Sequence, residues 1–209
     1  MIQYNTVRQE AHAEQIIEKS RFIAYVKPVE SREEAEAFIA SIRSEHKTAT
    51  HNVPAMVIGD KFQIQWASDD GEPQGTSGAP IVQMLVKEGI TNVAVVVTRY
   101  FGGIKLGTGG LVRAYTGSAR LGLEAAGKCM IKEMAVLRFK LDYSFLSKAQ
   151  NLAKEGLFSI EDIAYEELVT IKAAAELEDA EQVKASFANL TSGTAVLMEE
   201  TTELAKKDL

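Results

Sequence analysis

The chain has 209 residues, 46% of them hydrophobic and 25% charged, an ordinary globular mix with room for two small domains. A single cysteine, Cys129, excludes an intramolecular disulfide and fits a reducing compartment, and no apolar run approaches the roughly 20 residues that cross a bilayer. The net charge of −6 falls wholly on residues 136–209, while residues 1–135 balance and residues 89–123 contain no acid at all. Charge therefore does not exclude an anionic partner for the first part, because the Debye length in the cell is only about 8 Å. The N-terminus lacks a basic start followed by an apolar run, so the expectation is a cytoplasmic protein with no membrane partner.

In chain order, residues 6–17 and 22–29 contain alternating or apolar stretches suited to strands. Ser31 and Glu34 form a capping box, and the helix they open places Ala35, Phe38, Ile39 and Ile42 on one face. Residues 53–58 and 62–66 read as a hairpin turning at Gly59-Asp60. Turn formers fill residues 68–80, and Pro80 suits the first turn of a helix that stops at Gly89. Residues 93–98, VAVVVT, are apolar on both faces and require a central strand covered on each side. A loop over 100–109 leads to a helix over about 110–126, ended by Gly127. Gly110, Ala114, Gly117, Leu121 and Ala125 form a small-residue stripe on it, expected to lie close against the sheet.

After residue 133 the pattern becomes strand, helix, strand, strand, helix, strand, over 136–141, 143–154, 158–164, 168–174, 179–190 and 195–198. That is the split-βαβ order. The tail after Glu200 reads as short and polar. The expected division is 1–133 and 134–209, and the fold class is α+β in two domains.

Residues 99–110, RYFGGIKLGTGG, carry the candidate chemistry. A strand runs into a glycine-rich loop and then into a helix N-terminus, where free amides and the helix dipole favour an anion such as phosphate. Gly102, Gly103, Gly107, Gly109 and Gly110 would let an anion approach the backbone. Arg99, Lys105, Arg113 and Arg120 would add charge, and Arg113 and Arg120 lie on one helical stripe. Tyr100, Phe101 and Tyr115 interleave with these cations, a composition able to stack bases. Known nucleotide motifs fail: Thr108 replaces the P-loop lysine, and Val112 replaces the last glycine of the dinucleotide fingerprint. The same glycines equally serve a tight turn and close packing, with the arginines solvated.

Asp69, Asp70 and Glu72 could bind a hard cation, but DDGEP is also turn chemistry, and the turn docked against the nearby arginines is the expectation, with no metal. His51 is an accessory candidate, as general base or stacking partner, although satisfied histidines are the plain expectation for His12, His46 and His51. Ser77 is not in a nucleophile elbow, and no catalytic residue is assigned.

The segments SDDGEPQGTSGAP and VAVVVTRYFGGIKLGTGGLVRAY resemble the signature of the IMPACT family, in its bacterial branch. The likeness runs from about Lys19 to Ala126, and the second domain also looks like the one bacterial members carry. The resemblance implies a first domain like the α+β fold shared by a small-subunit ribosomal protein and domain IV of elongation factor G. It implies a second that is ferredoxin-like, similar to domain V of that factor. Eukaryotic relatives regulate translation through an extra N-terminal domain, an activity that does not carry over to this chain.

The expected function is binding of RNA or the ribosome in translation or its regulation. Arg99, Lys105, Arg113 and Arg120 would contact phosphates, with Tyr100 or Phe101 against a base or ribose. An enzyme or nucleotide-binding protein is the alternative, and needs His51, Asp69, Asp70 and Glu72 to converge on the loop. A protein-interaction module with a protein partner is the third reading. No cofactor is expected.

Overall fold

The computed structural model describes residues 2–208 and divides into two compact units, Ile2–Ile131 with the tail from Lys206, and Lys132–Ala205. Both are α+β, built on antiparallel strand pairs.

The first unit follows from one strand. VAVVVT lies within β6 (Val93–Tyr100), which is buried along all but its last residue. Val93, Val95 and Val97 face one core, and Ala94 and Val96 face another. Helices must therefore cover both sides of the sheet, as the doubly apolar run demands. Around β6 the order is β2 (Ala11–Ile17), β3 (Ser20–Pro28), β6, β4 (His51–Ile58) and β5 (Ile64–Ala67).

One face carries α1 (Arg32–Glu45), whose buried residues are Ala35, Phe38, Ile39 and Ile42. Its Ser31 side chain accepts from the Glu34 amide at 3.2 Å, and Glu34 answers to the Glu30 amide at 3.0 Å. The other face carries α2 (Gly78–Lys87) and α3 (Gly107–Ala126), which share a core with Val95 and Val97.

Several expected boundaries move. The strand-forming region over 6–17 holds the end of one strand and the whole of another. β1 (Ile2–Val7) ends, and the chain turns away with the Arg8 and Gln9 amides donating to the carbonyls of Gly127 and Ala126. The hairpin's second strand starts at Ile64 because Phe62 turns with φ of 58°. Helix α3 begins three residues before the expected start, taking in Gly107, Thr108 and Gly109, whose low helix propensity argued for a loop.

The small-residue stripe is also rotated. The buried line runs through Leu111, Ala114, Tyr115, Ser118, Ala119 and Gly122, while Leu121 is exposed. Gly122 makes the close approach, since a Cβ there would lie 2.7 Å from Val26 Cγ2.

In the second unit, β7 (Lys128–Leu141) pairs with β9 (Val169–Glu176), β9 with β8 (Ser159–Tyr165), and β10 (Val196–Asp208) with β7. β1 also pairs with β7, whose residues up to Ile131 belong to the first unit. Helices α4 (Leu146–Ala153) and α5 (Ala180–Leu190) contribute Ala149, Val183 and Phe187 to a core with Leu137, Phe139 and Ile171. Phe139 and Phe187 stack at 4.0 Å between ring centres.

The polar tail expected after Glu200 is instead the continuation of β10. Cross-strand ion pairs accompany that strand, Arg138–Glu199 just before the tail and Lys172–Glu203 within it, each at 2.8 Å. Among the described residues no helix is long and apolar enough to cross a membrane.

Candidate phosphate-binding cleft

A cleft of about 430 Å³ opens between the start of β4, the turn before α2 and the start of α3. Its lining includes His51, Glu72, Arg99, Phe101, Lys105 and Thr108. Strand pairing explains part of this gathering, because His51 stands opposite Arg99 in the β4–β6 register. The turn Asp69-Asp70-Gly71-Glu72 explains the rest. Asp70 and Gly71 both have positive φ, 49° and 89°, and the Glu72 amide closes on the Asp69 carbonyl at 3.0 Å. Asp-Gly supplies that conformation at low cost.

The turn sends its three carboxylates to different places. Asp69 accepts from the amides of Gly75, Ser77 and Gly78 and from Ser77 Oγ, and so fastens the start of α2. Burial by itself would raise its pKa, but these bonds outweigh that and hold the carboxyl below the usual aspartate range. Asp70 accepts from the Asn52 amide at 2.7 Å and from Arg43 at 3.2 Å. Only Glu72 reaches the cleft, so the accessory set of Asp69, Asp70 and Glu72 does not converge there.

Glu72 is 9% exposed and Arg99 5%. Glu72 Oε1 accepts from Arg99 Nη1 and from the Tyr115 hydroxyl, both at 2.7 Å. Burial, then the bond to Glu72, push the Tyr115 phenol strongly up, so it stays a donor. The Arg99 guanidinium also bonds Ser20 Oγ at 3.2 Å and lies within about 5.4 Å of the rings of Phe22 and Phe101. Its Nε–H is buried without an acceptor, the one such side-chain atom among the described residues. Arg99 is thus a floor of the cleft and not a surface cation.

His51 Nδ1 lies 2.8 Å from the Asp70 carbonyl, which can only accept, so Nδ1 carries the proton. In the neutral ring Nε2 is then an acceptor, 3.7 Å from Glu72 Oε2.

The loop is divided in its roles. The amides of Phe101 and Gly102 are spent on Thr50 Oγ1 and Ser20 Oγ. Gly102 serves close packing of the chain on itself, since a Cβ there would lie 2.0 Å from the Lys19 carbonyl group, and it leaves no room for an anion. Gly103 is unconfined and Gly107 lines the cleft. Leu106 precedes α3 without a capping side chain, so the first-turn amides of Gly107, Thr108 and Gly109 lack intrahelical partners. Gly110 lines a neighbouring groove with Arg113, and a Cβ on it would press Leu106 at 3.0 Å.

The remaining cations separate in the same way. Arg120 is paired with Glu88 at 2.8 Å, beside Lys128. Lys105 and Arg113 have no ion pair among the described residues, and Lys105 lines both the cleft and the groove that holds Arg113. Tyr100 is not in the cleft: its hydroxyl bonds His46 Nδ1 at 2.8 Å, while Tyr25 holds Nε2 at 2.6 Å. Tyr115 is wholly buried, which leaves Phe101, 46% exposed, as the stacking surface. Sequence reasoning passed over Ser20 and Thr50, whose hydroxyls anchor the loop across more than fifty residues of chain. Only the strand pairing brings them near.

Residues 18–123 match the Impact N-terminal domain, and residues 139–194 match a domain of unknown function, DUF1949. The chain is 41% identical over 196 residues to "IMPACT family member YvyE" of Bacillus subtilis (strain 168), covering 94% of this chain and 90% of that one. It is 34% identical over 184 residues to "IMPACT family member YigZ" of Escherichia coli (strain K12), covering 87% and 90%. A solved structure described as "Crystal structure of an hypothetical protein" superposes with a TM-score of 0.58 at 31% identity, covering 93% of this chain and 95% of that one. The chain therefore belongs to the IMPACT family, with the bacterial arrangement of an Impact N-terminal domain followed by DUF1949.

Proposed function

We propose that this protein binds RNA, free or in the ribosome, in the cytoplasm and in the service of translation or its regulation. The observation that carries the reading is the cleft, where an uncapped helix start, Lys105 and the exposed ring of Phe101 face the same space. Helix amides and an ammonium suit a phosphate, and an exposed ring suits a base. The expected likeness of the two units to domains IV and V of elongation factor G supports the same reading by analogy alone. In the second unit, the strand order β10-β7-β9-β8 agrees with a ferredoxin-like sheet.

Few cations take part. Arg99 and Arg120 are committed to Glu72 and Glu88, so Lys105 and Arg113 are the phosphate contacts. Each contact to a single strand steepens the salt dependence by about 0.7, so the slope is expected near 1.4 and not the roughly 2.8 of four contacts. Fluorescence anisotropy of a labelled oligoribonucleotide across a salt series measures it. Lys105→Ala and Arg113→Ala should each lower the slope, and Arg120→Ala should leave it alone. Absence of binding at low salt, or a slope unchanged in both variants, would refute the proposal.

A second reading is binding of a small phosphorylated ligand, favoured by the convergence of His51 and Glu72 on the same cleft. Tighter binding of a nucleotide than of any oligoribonucleotide would select it.

A further inference from the structure

The cleft combines two groups of opposite character, and we propose that it holds the terminal ribonucleotide of an RNA, through its phosphate monoester and its 2′-hydroxyl. The inference rests on the RNA-binding reading above and specifies which part of the RNA is read.

Donors come from the start of α3 and from Lys105. The amides of Gly107 and Thr108 lack intrahelical partners, and Lys105 is exposed and without an ion pair among the described residues. Beneath them Arg99, itself nineteen-twentieths buried, keeps an Nε–H with no acceptor. That Nε–H has almost no accessible surface, so a ligand in the cleft is held by the amides and Lys105 above it, with the paired guanidinium as a fixed positive floor.

Acceptors come from the other lining residues. The carbonyl of Asp70 fixes the His51 proton on Nδ1, leaving Nε2 of the neutral ring to accept. Glu72 Oε2 makes no hydrogen bond among the described residues and lies 3.7 Å from His51 Nε2, the other oxygen, Oε1, taking both Arg99 and Tyr115. Two acceptors beside an anion-binding helix start are ill-suited to a second anion and well suited to a hydroxyl donor. The 2′-hydroxyl is the donor that distinguishes RNA from DNA.

A terminal position is favoured over an internal one by the state of the surrounding cations. Gripping a continuous backbone takes a row of free cations, yet Arg21, Arg43, Arg99 and Arg120 are paired with Glu14, Asp70, Glu72 and Glu88, and the free Arg113 lines the neighbouring groove instead of the cleft. Lys105 is the one free cation lining the cleft among the described residues. A phosphate monoester carries about −1.5 to −2 charge on three free oxygens, so one such group compensates for the missing track. The cleft volume of about 430 Å³ falls in the range of small-ligand sites and suits one nucleotide.

The test compares one oligoribonucleotide sequence carrying a 5′-phosphate, a 3′-phosphate, or hydroxyls at both ends, with the full chain at low salt. A version with deoxyribose at the terminal position completes the set. Adenosine 5′-monophosphate and adenosine, used as competitors, separate a free nucleotide from an RNA end as the source of the monoester. A terminal phosphate at one end should tighten binding about tenfold or more, and Lys105→Ala should abolish that gain. Terminal deoxyribose should weaken binding several-fold in the native chain and have no effect in His51→Leu. Equal affinity for phosphorylated and hydroxyl ends overturns this inference while RNA binding stands. Binding of none of the oligonucleotides overturns both.

Discussion

Arg99 and Glu72, twenty-seven residues apart, form a 2.7 Å ion pair whose side chains are 6% and 5% exposed. The pair is flanked by Tyr115, Ser20 and the ring of Phe22 and is nearly buried, so water is a poor substitute partner for either charge. Removing one partner leaves the other buried and uncompensated, a loss of about 3–5 kcal/mol. Glu72→Leu is therefore expected to destabilise the first unit by that order, and Arg99→Met with Glu72→Leu to recover most of it. Urea denaturation followed by the fluorescence of Trp66, the only tryptophan and a residue of β5, reports on this unit. A double variant as unstable as the single one would show that the pair contributes more than charge compensation.

Asp69 links the acid limb of stability to the start of α2. Burial opposes its ionisation, but bonds from Gly75, Ser77 and Gly78 prevail, and its pKa is lowered in the folded chain. A group with a depressed folded pKa contributes stability that is present above its unfolded value, about 3.9, and is lost as pH falls through the folded value. Asp69→Ala should cost about 1 kcal/mol at neutral pH, the ordinary worth of a helix-start cap. The difference between native and variant chains should shrink below about pH 4, approaching zero once the folded carboxyl is protonated. Thermal melts at several pH values from neutral to strongly acidic measure the convergence, and a constant difference across that range would contradict it.

What the sequence made legible depended on whether a signal was local. The capping box at Ser31 and Glu34, the doubly apolar strand over 93–98 and the strand–helix order after residue 133 each rest on neighbours in the chain. Each appears in the structure at or near its expected place. The glycine-rich loop was visible as a helix start, but its division of labour was not. Gly102 is small because Lys19 passes behind it, and Arg99 is neutralised by Glu72 across a turn whose direction depends on two positive-φ residues. Those are pairings between distant segments, and composition cannot distinguish a solvated arginine from a buried one. The tail misled for the opposite reason. Its residues are polar, but β10 is held by backbone pairing to β7 and by ion pairs to Arg138 and Lys172, neither of which needs an apolar pattern.

Two glycines inside α3 should respond to the same substitution with opposite signs. At Gly117 an added Cβ would lie 3.7 Å from Gln15 Nε2, an ordinary contact, so Gly117→Ala should gain up to about 1 kcal/mol of helix propensity. At Gly122 it would lie 2.7 Å from Val26 Cγ2, 3.1 Å from Ala24 Cβ and 3.2 Å from the Ala24 carbonyl. β3 cannot yield there, because Ala24 and Val26 are fully buried between β2 and β6. Overpacking of this kind costs about 1–3 kcal/mol and outweighs the propensity gain, so Gly122→Ala should lower stability. The same substitution on one helix thus separates packing from propensity. A stabilised Gly122→Ala variant, measured by the same Trp66-monitored denaturation, would mean that α3 lies farther from β3 than the structure places it.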